Sequence, residues 1–179
     1  MIEYRVLETH ELARVGEIDR TERIDRLYVQ RGAELEPVEG NFSASRWQTE
    51  GEGEHSVAHQ VEECKRYVAA GGTAIGAIDD DRIVGIGIVV PHVRPGIAQL
   101  AFLHVSDGRR GAGIGRHLND ALEQVARDAG DTAIVVSATP SENTVRFYRG
   151  RGYEPTPTPL PELLELEPDD VHLEKRLGP

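Results

Sequence analysis

Apolar residues in this 179-residue chain recur in two rhythms, one of period two and one near 3.6. Ile2, Tyr4 and Val6 alternate with polar neighbours, which predicts a half-buried first strand. Leu12, Val15 and Ile18 follow at helical spacing behind Thr9, a residue type suited to capping a helix start. Ile24, Leu27 and Tyr28 repeat that spacing behind Thr21 and predict a second helix. Residues 32–54 carry neither rhythm. Pro37, Gly40, Gly51 and Gly53 punctuate them, and a loop with one or two short strands is expected, since long structureless stretches are unusual in compact domains. Val57, Val61, Cys64 and Val68 then predict a helix ended by Gly71-Gly72.

The second half is more regular. Thr73 to Asp79 and Arg82 to Val90 read as two strands joined by an Asp-rich turn, an antiparallel hairpin. Ile97 to Val105 supplies the next strand. Leu118, Ala121, Leu122, Val125, Ala126 and Ala129 form one apolar stripe ended by Gly130, and Ala133 to Ala138 is a buried-type strand. A helix between two such strands implies a parallel βαβ unit, whose ligands sit beyond the strand C-termini. At Thr139-Pro140-Ser141-Glu142 three helix-start signals coincide: Thr139 as cap, Pro140 at the first position, Glu142 closing a capping box. That helix runs through Val145, Phe147 and Tyr148 to Gly150-Arg151-Gly152. Pro155 to Pro168 is proline-rich and acidic, and Val171 to Leu177 alternates as a last strand with His172 on its polar side. No repeat and no linker divides residues 1–179, so one domain is expected.

Charge changes the picture more than composition does. With 39% hydrophobic and 28% charged residues the chain is an ordinary globular sequence, but its net charge of −11 argues against nucleic acid as a partner. No apolar run approaches the ~18 residues of a membrane span, and Met1-Ile2-Glu3-Tyr4 opens a strand rather than a signal peptide. A cytoplasmic protein without a membrane partner is expected. One cysteine, Cys64, excludes an internal disulfide and suits helix packing. His55 and His59 lie four apart without further ligands, so no metal is expected. Trp47, the single tryptophan, suits core cover or a pocket wall.

Candidate chemistry concentrates between Gln99 and Gly115. An apolar strand passes through a polar turn into a loop with glycines at 111, 113 and 115, and a helix comes at once after it. That order makes an anion site: a helix start leaves backbone N–H groups unpaired at the positive end of a dipole, and glycine lets a phosphate approach them. Arg109, Arg110 and Arg116 bracket the loop. A P-loop would need Gly-Lys-Ser/Thr, and a dinucleotide fingerprint Gly-x-Gly-x-x-Gly; neither is present.

Val105 to Gly115 resembles the acyl-CoA signature of the GNAT superfamily of N-acetyltransferases, through Arg110, Gly113 and Gly115 with Val105 at the usual strand position. Phe147-Tyr148 followed by Gly152-Tyr153 is similar to the second signature of that superfamily. Both lie within Ala74 to Tyr153, in the expected order. The resemblance implies an α/β (α+β) fold with a mixed, mostly antiparallel central sheet of about six or seven strands flanked by helices, the βαβ unit holding the acyl-CoA site. It implies acetyl-CoA as cosubstrate and direct transfer of its acetyl group to a primary amine of a small molecule or peptide, with a homodimer an admissible assembly. The alternative is a non-catalytic acyl-CoA-binding regulatory domain, against which the intact Tyr148 weighs.

Residue by residue, the resemblance implies that Arg110, Gly111, Ala112, Gly113, Ile114, Gly115 and Arg116 hold the pyrophosphate. Strands four and five of such a sheet should splay, so that Leu103, His104 and Val105 offer backbone groups to the pantetheine amides. Tyr148 is the candidate general acid for the leaving thiolate. Where relatives often carry an Asn against the cofactor this chain has Ser141, with Asn143 two residues on; both are candidates. Arg146, Arg149 and Arg151 add basic residues nearby. Relatives often place a base on the fourth strand, but its inner positions here are Gln99, Ala101 and Leu103, and a regular strand points His104 to the other face. Glu22, His104, His92 and an ordered water remain open as the base. Asp19, Glu22 and Asp25 are also candidates to face substrate.

Overall fold

The computed structural model describes residues 1–178. In chain order the elements are β1 (Glu3–Val6), a 3-10 helix (Thr9–Glu17), β2 (Glu22–Arg31), β3 (Glu34–Ala44), α1 (Val57–Ala69), β4 (Thr73–Asp79), β5 (Arg82–Arg94) and β6 (Ile97–Val105). They continue with α2 (Ile114–Asp128), β7 (Ala133–Ala138), α3 (Glu142–Gly150), β8 (Glu154–Pro155), α4 (Pro161–Leu166) and β9 (Val171–Arg176). Seven strands make one sheet in the order β1-β4-β5-β6-β7-β9-β8, antiparallel except between β6 and β7. The expected mixed sheet with one parallel βαβ unit is therefore present.

The apolar runs of β4 and β5 are buried because helices cover both sheet faces. On one face Ile114, Leu118, Leu122 and Ala126 of α2 pack with Val145 and Tyr148 of α3. On the other, Leu12, Val15 and Ile18 pack with Cys64 of α1 and with Trp47. Asp80 and Asp81 join β4 to β5 with φ of 47° and 63°, a left-handed pair that matches the strand twist and that Asp tolerates.

Two irregularities in β6 shape the cleft at its C-terminal end. Ile88 pairs with Phe102 but Val89 pairs with Leu100, so Ala101 is an extra residue in β6, a β-bulge. And β6 pairs with β7 only through Ile97, Ala98 and Gln99, after which the strands part.

The first third differs from the sequence expectation. Glu22–Arg31 is a strand, not a second helix, and it forms a separate two-stranded sheet with the long strand β3. Its buried and half-buried residues are Glu22, Ile24, Leu27, Tyr28 and Gln30, two of them polar; the alternation breaks where the register shifts between Ile24 and Arg26, and Ile24, Leu27 and Tyr28 imitate helical spacing. Gln30 explains one of the polar choices: its amide donates to the carbonyls of Thr156 (3.0 Å) and His172 (3.2 Å) and accepts from the His172 N–H (2.7 Å). His172 is thus buried, 4% exposed, rather than on a polar strand face. Smaller shifts occur at helix starts. The first helix is 3-10 and is preceded by Glu8, whose N–H donates to Glu11 (3.0 Å). α1 is capped by Ser56, which leaves His55 outside it.

Candidate active site

The glycine loop turns as its composition requires. Gly111 and Gly113 have φ of +81° and +83°, conformations open to glycine, and Gly113 is the residue that starts α2. Among the described residues, the N–H groups of residues 111–116 find no protein acceptor, and the first helical bond runs from His117 N–H to Gly113 C=O at 3.0 Å. A row of bare donors at the positive end of a 15-residue helix fits a pyrophosphate. Gly115 serves packing instead: a Cβ there would stand 3.3 Å from Phe147 Cε2, so glycine lets α3 approach α2.

Most of the surrounding arginines are engaged elsewhere. Arg110 Nη1 donates to the Thr21 carbonyl (2.8 Å) and its Nε to the Val105 carbonyl (3.2 Å), so this side chain ties β6 to the start of β2. Arg109 pairs with Asp79 (2.6 Å), Arg146 with Glu142 (3.1 Å), Arg149 with Glu154 (3.1 Å) and Arg151 with Asp120. Arg116 lines the cleft without a protein partner among the described residues and is the guanidinium best placed for an anion.

Loop, parted strands and α3 enclose a cleft of about 960 Å³. Of the site candidates named from the sequence, Leu103, His104, Val105, Arg110, Gly111, Ala112, Gly113, Gly115, Arg116, Asn143 and Tyr148 border it. Ser141 does not. Its hydroxyl caps α3, accepting from the Thr144 N–H (3.3 Å) and donating to Thr144 Oγ1 (2.9 Å), and the residue is 1% exposed. The cap is thus Ser141, not Thr139. The Ile114 side chain also turns away, into the core, leaving only its N–H to the loop. Glu22, Thr144 and Phe147 complete the lining. Thr144 lies four residues before Tyr148 and Phe147 four after Asn143, a helical spacing that could have drawn both from the sequence.

The bulge at Ala101 reverses the reading of His104. Past it, Phe102 and His104 share the face of Trp47, with ring centroids 4.7 Å apart and His104 5.1 Å from Trp47. Leu103 and Val105 pack on the opposite, α2 face. The cleft therefore reaches both faces where β6 and β7 part. Burial, helped by Arg20 and Arg110, pushes the His104 imidazole down to about 4, so it is neutral at physiological pH. His92 lies at the other end of the sheet, its ring nitrogen 2.8 Å from Asp131, and does not border the cleft.

Tyr148 is 5% exposed, edge-on to Phe147 and Tyr153. Desolvation raises its pKa and keeps the phenol protonated. Its hydroxyl has no protein partner among the described residues yet is not sealed off: there the one buried, unpartnered side-chain polar atom is Arg151 Nε. Across the cleft, Asn143 Nδ2 donates to Glu22 Oε1 at 3.0 Å.

Residues 40–153 match the model of the acetyltransferase (GNAT) family. No curated protein sequence matches the chain. Among solved structures it is similar to nourseothricin acetyltransferase (14% identity, 99% of each chain, TM-score 0.71). It is also similar to a putative streptothricin acetyltransferase from Bacillus anthracis in complex with acetyl coenzyme A (16% identity, 99% of each chain, TM-score 0.72). A third likeness is to the PaiA N-acetyltransferase of Thermoplasma acidophilum in complex with coenzyme A (16% identity, 98% of this chain and 99% of that one, TM-score 0.63). These likenesses establish a shared fold.

Proposed function

The chain belongs to the GNAT family of acetyltransferases, and from that premise we propose that it transfers an acetyl group from acetyl-CoA to a primary amine of a small molecule or peptide by direct attack. Acetyl-CoA supplies the acyl group as an activated thioester. The bare N–H groups of residues 111–116 hold its pyrophosphate, and Arg116 adds charge that no described protein group claims. The open edge of β6 at Leu103, His104 and Val105 offers backbone partners to the pantetheine amides, as an added strand would use them.

Tyr148 is the general acid. The observation that carries this role is a protonated phenol with an unpartnered hydroxyl, in the same cleft as the anion loop. A thiolate released beside it is desolvated too, which raises its own demand for the proton. The supporting resemblances among solved structures include an aminoglycoside 6'-N-acetyltransferase complexed with coenzyme A, a small-molecule enzyme.

Calorimetric titration of acetyl-CoA into wild-type protein and a Gly113→Glu variant tests the reading. Binding near micromolar in the wild type and its loss in the variant are expected, because the variant puts a carboxylate where phosphate lies. A folded wild type that binds no acetyl-CoA would remove the transferase reading.

A further inference from the structure

Charge is divided along the cleft. Arg116 stands at the glycine-loop end and Arg110 spends its guanidinium on the Thr21 and Val105 carbonyls, whereas Glu22 is the single carboxylate among the lining residues. Glu22 is half-buried on the inward face of β2. The cations around it are committed elsewhere: Arg23 to Asp25 (2.9 Å), Arg26 to Glu142 (3.6 Å) and Arg110 to the Thr21 carbonyl. A half-buried carboxylate in a cleft without a cation partner marks a place where a positive ligand group is stabilised.

The bond from Asn143 sharpens this. A carboxylate only accepts, so the amide must present its Nδ2 to Glu22, and its Oδ1 is then left over. The second Glu22 oxygen is likewise unbonded among the described residues. Two unpaired acceptor oxygens, one of them on a carboxylate, thus belong to one hydrogen-bonded pair of side chains bordering the cleft. That is the complement of an ammonium group, which has three donors and no acceptor.

The chemistry decides which ammonium the seat takes. The attacking nitrogen must present a lone pair, and a carboxylate against it would hold it charged. Asn143 also precedes Tyr148 by five residues on α3, a rise of about 7–8 Å along the helix axis. The seat therefore lies away from the reacting centre. Resting on the transferase reading, we infer that Glu22 and Asn143 seat a second, non-reacting ammonium of the acceptor, making this cleft selective for amines that carry more than one positive charge.

The test titrates spermidine, putrescine and butylamine into protein saturated with CoA, for wild type, Glu22→Gln and Asn143→Ala, with CoA affinity measured for each. Wild type is expected to bind the two polyamines at least about tenfold more tightly than butylamine. Glu22→Gln should abolish that preference and Asn143→Ala reduce it, both at unchanged CoA affinity. Equal binding of the three amines by the wild type, failure of any to bind, or a preference that survives in Glu22→Gln overturns the assignment. A fall in CoA affinity in Asn143→Ala would make Asn143 a donor contact and overturn its place in the seat. Failure of CoA itself to bind strikes the transferase reading instead.

Discussion

Leu100 and Phe102 are two residues apart in one strand, yet Leu100 enters the core beneath α2 and Phe102 the core beneath Trp47. Side chains two apart in a regular strand share a face; the extra residue Ala101 breaks that parity. Everything beyond the bulge is re-aimed, which is how His104 comes to stand against Trp47 at the cleft while Leu103 and Val105 face α2.

His104 makes folding sensitive to mild acid. Its folded value, about 4, lies below the unfolded reference near 6.5, so the unfolded chain binds the extra proton between them. Stability from this group is complete above about pH 6.5 and lost as pH falls toward 4, by at most ~3 kcal/mol. Denaturant unfolding from pH 7 to 4.5 should show a shallower decline in His104→Gln than in wild type. Parallel declines would show that the imidazole is not desolvated.

Asp170 acts in the opposite sense. Burial and the neighbouring Glu167 push its carboxyl up to about 6, above its unfolded value, and its hydrogen bond from Ser137 (3.2 Å) does not offset this. The folded state favours the protonated form, so stability falls as pH rises through 4 to 6. Asp170→Asn keeps an acceptor for Ser137 and should stabilise the protein by about 1–3 kcal/mol at pH 7.5, with little effect at pH 4. A melting temperature unchanged at pH 7.5 would contradict this.

Tyr148→Phe removes one hydroxyl from the cleft and no packing. Turnover should fall roughly 10- to 1000-fold, in the range for a positioned acid, with acetyl-CoA affinity unchanged. Steady-state rates with calorimetry on the same sample decide it; full turnover would take the role from Tyr148.

Arg110 and Arg116, adjacent to the same loop, should separate. Arg116→Ala is expected to weaken acetyl-CoA binding about tenfold, less so at high salt, because its guanidinium is unclaimed. Arg110→Ala should cost about 1–2 kcal/mol of stability, through the lost bonds to Thr21 and Val105, and weaken acetyl-CoA binding less than Arg116→Ala does. Equal losses of affinity would return Arg110 to the phosphate.

Elements were legible in the sequence where their rhythm was undisturbed. β4, β6 and β7 could be read almost to the residue because their apolar runs are buried by helices, and α2 because its apolar stripe persists although Asn119 and Glu123 are buried beside it. β2 was misread because Glu22 and Gln30 occupy inward positions where apolar residues would have shown the alternation, and because that alternation breaks at the register shift between Ile24 and Arg26. β3 is largely exposed and carries Pro37 and Gly40, so it had no buried face to announce it. The bulge at Ala101 leaves no mark in composition, and with it the side of His104 was lost. The loop glycines were readable as a turn into a helix start with bare N–H groups, but the hydrogen bonds of Arg110 depend on β2 arriving beside it, which no local pattern records.

The hairpin of β2 and β3 completes its own ladder, while β1 pairs directly with β4 and closes the main sheet without it. The arm that bears Glu22 is thus an insertion that the core does not need for its own pairing. Under the proposed function, the carboxylate assigned to the acceptor therefore sits on an arm whose strand pairing is its own, joined to the main body by the bonds of Gln30 and Arg110, so substitutions at its outer positions are expected to alter acceptor choice without unpairing the main sheet.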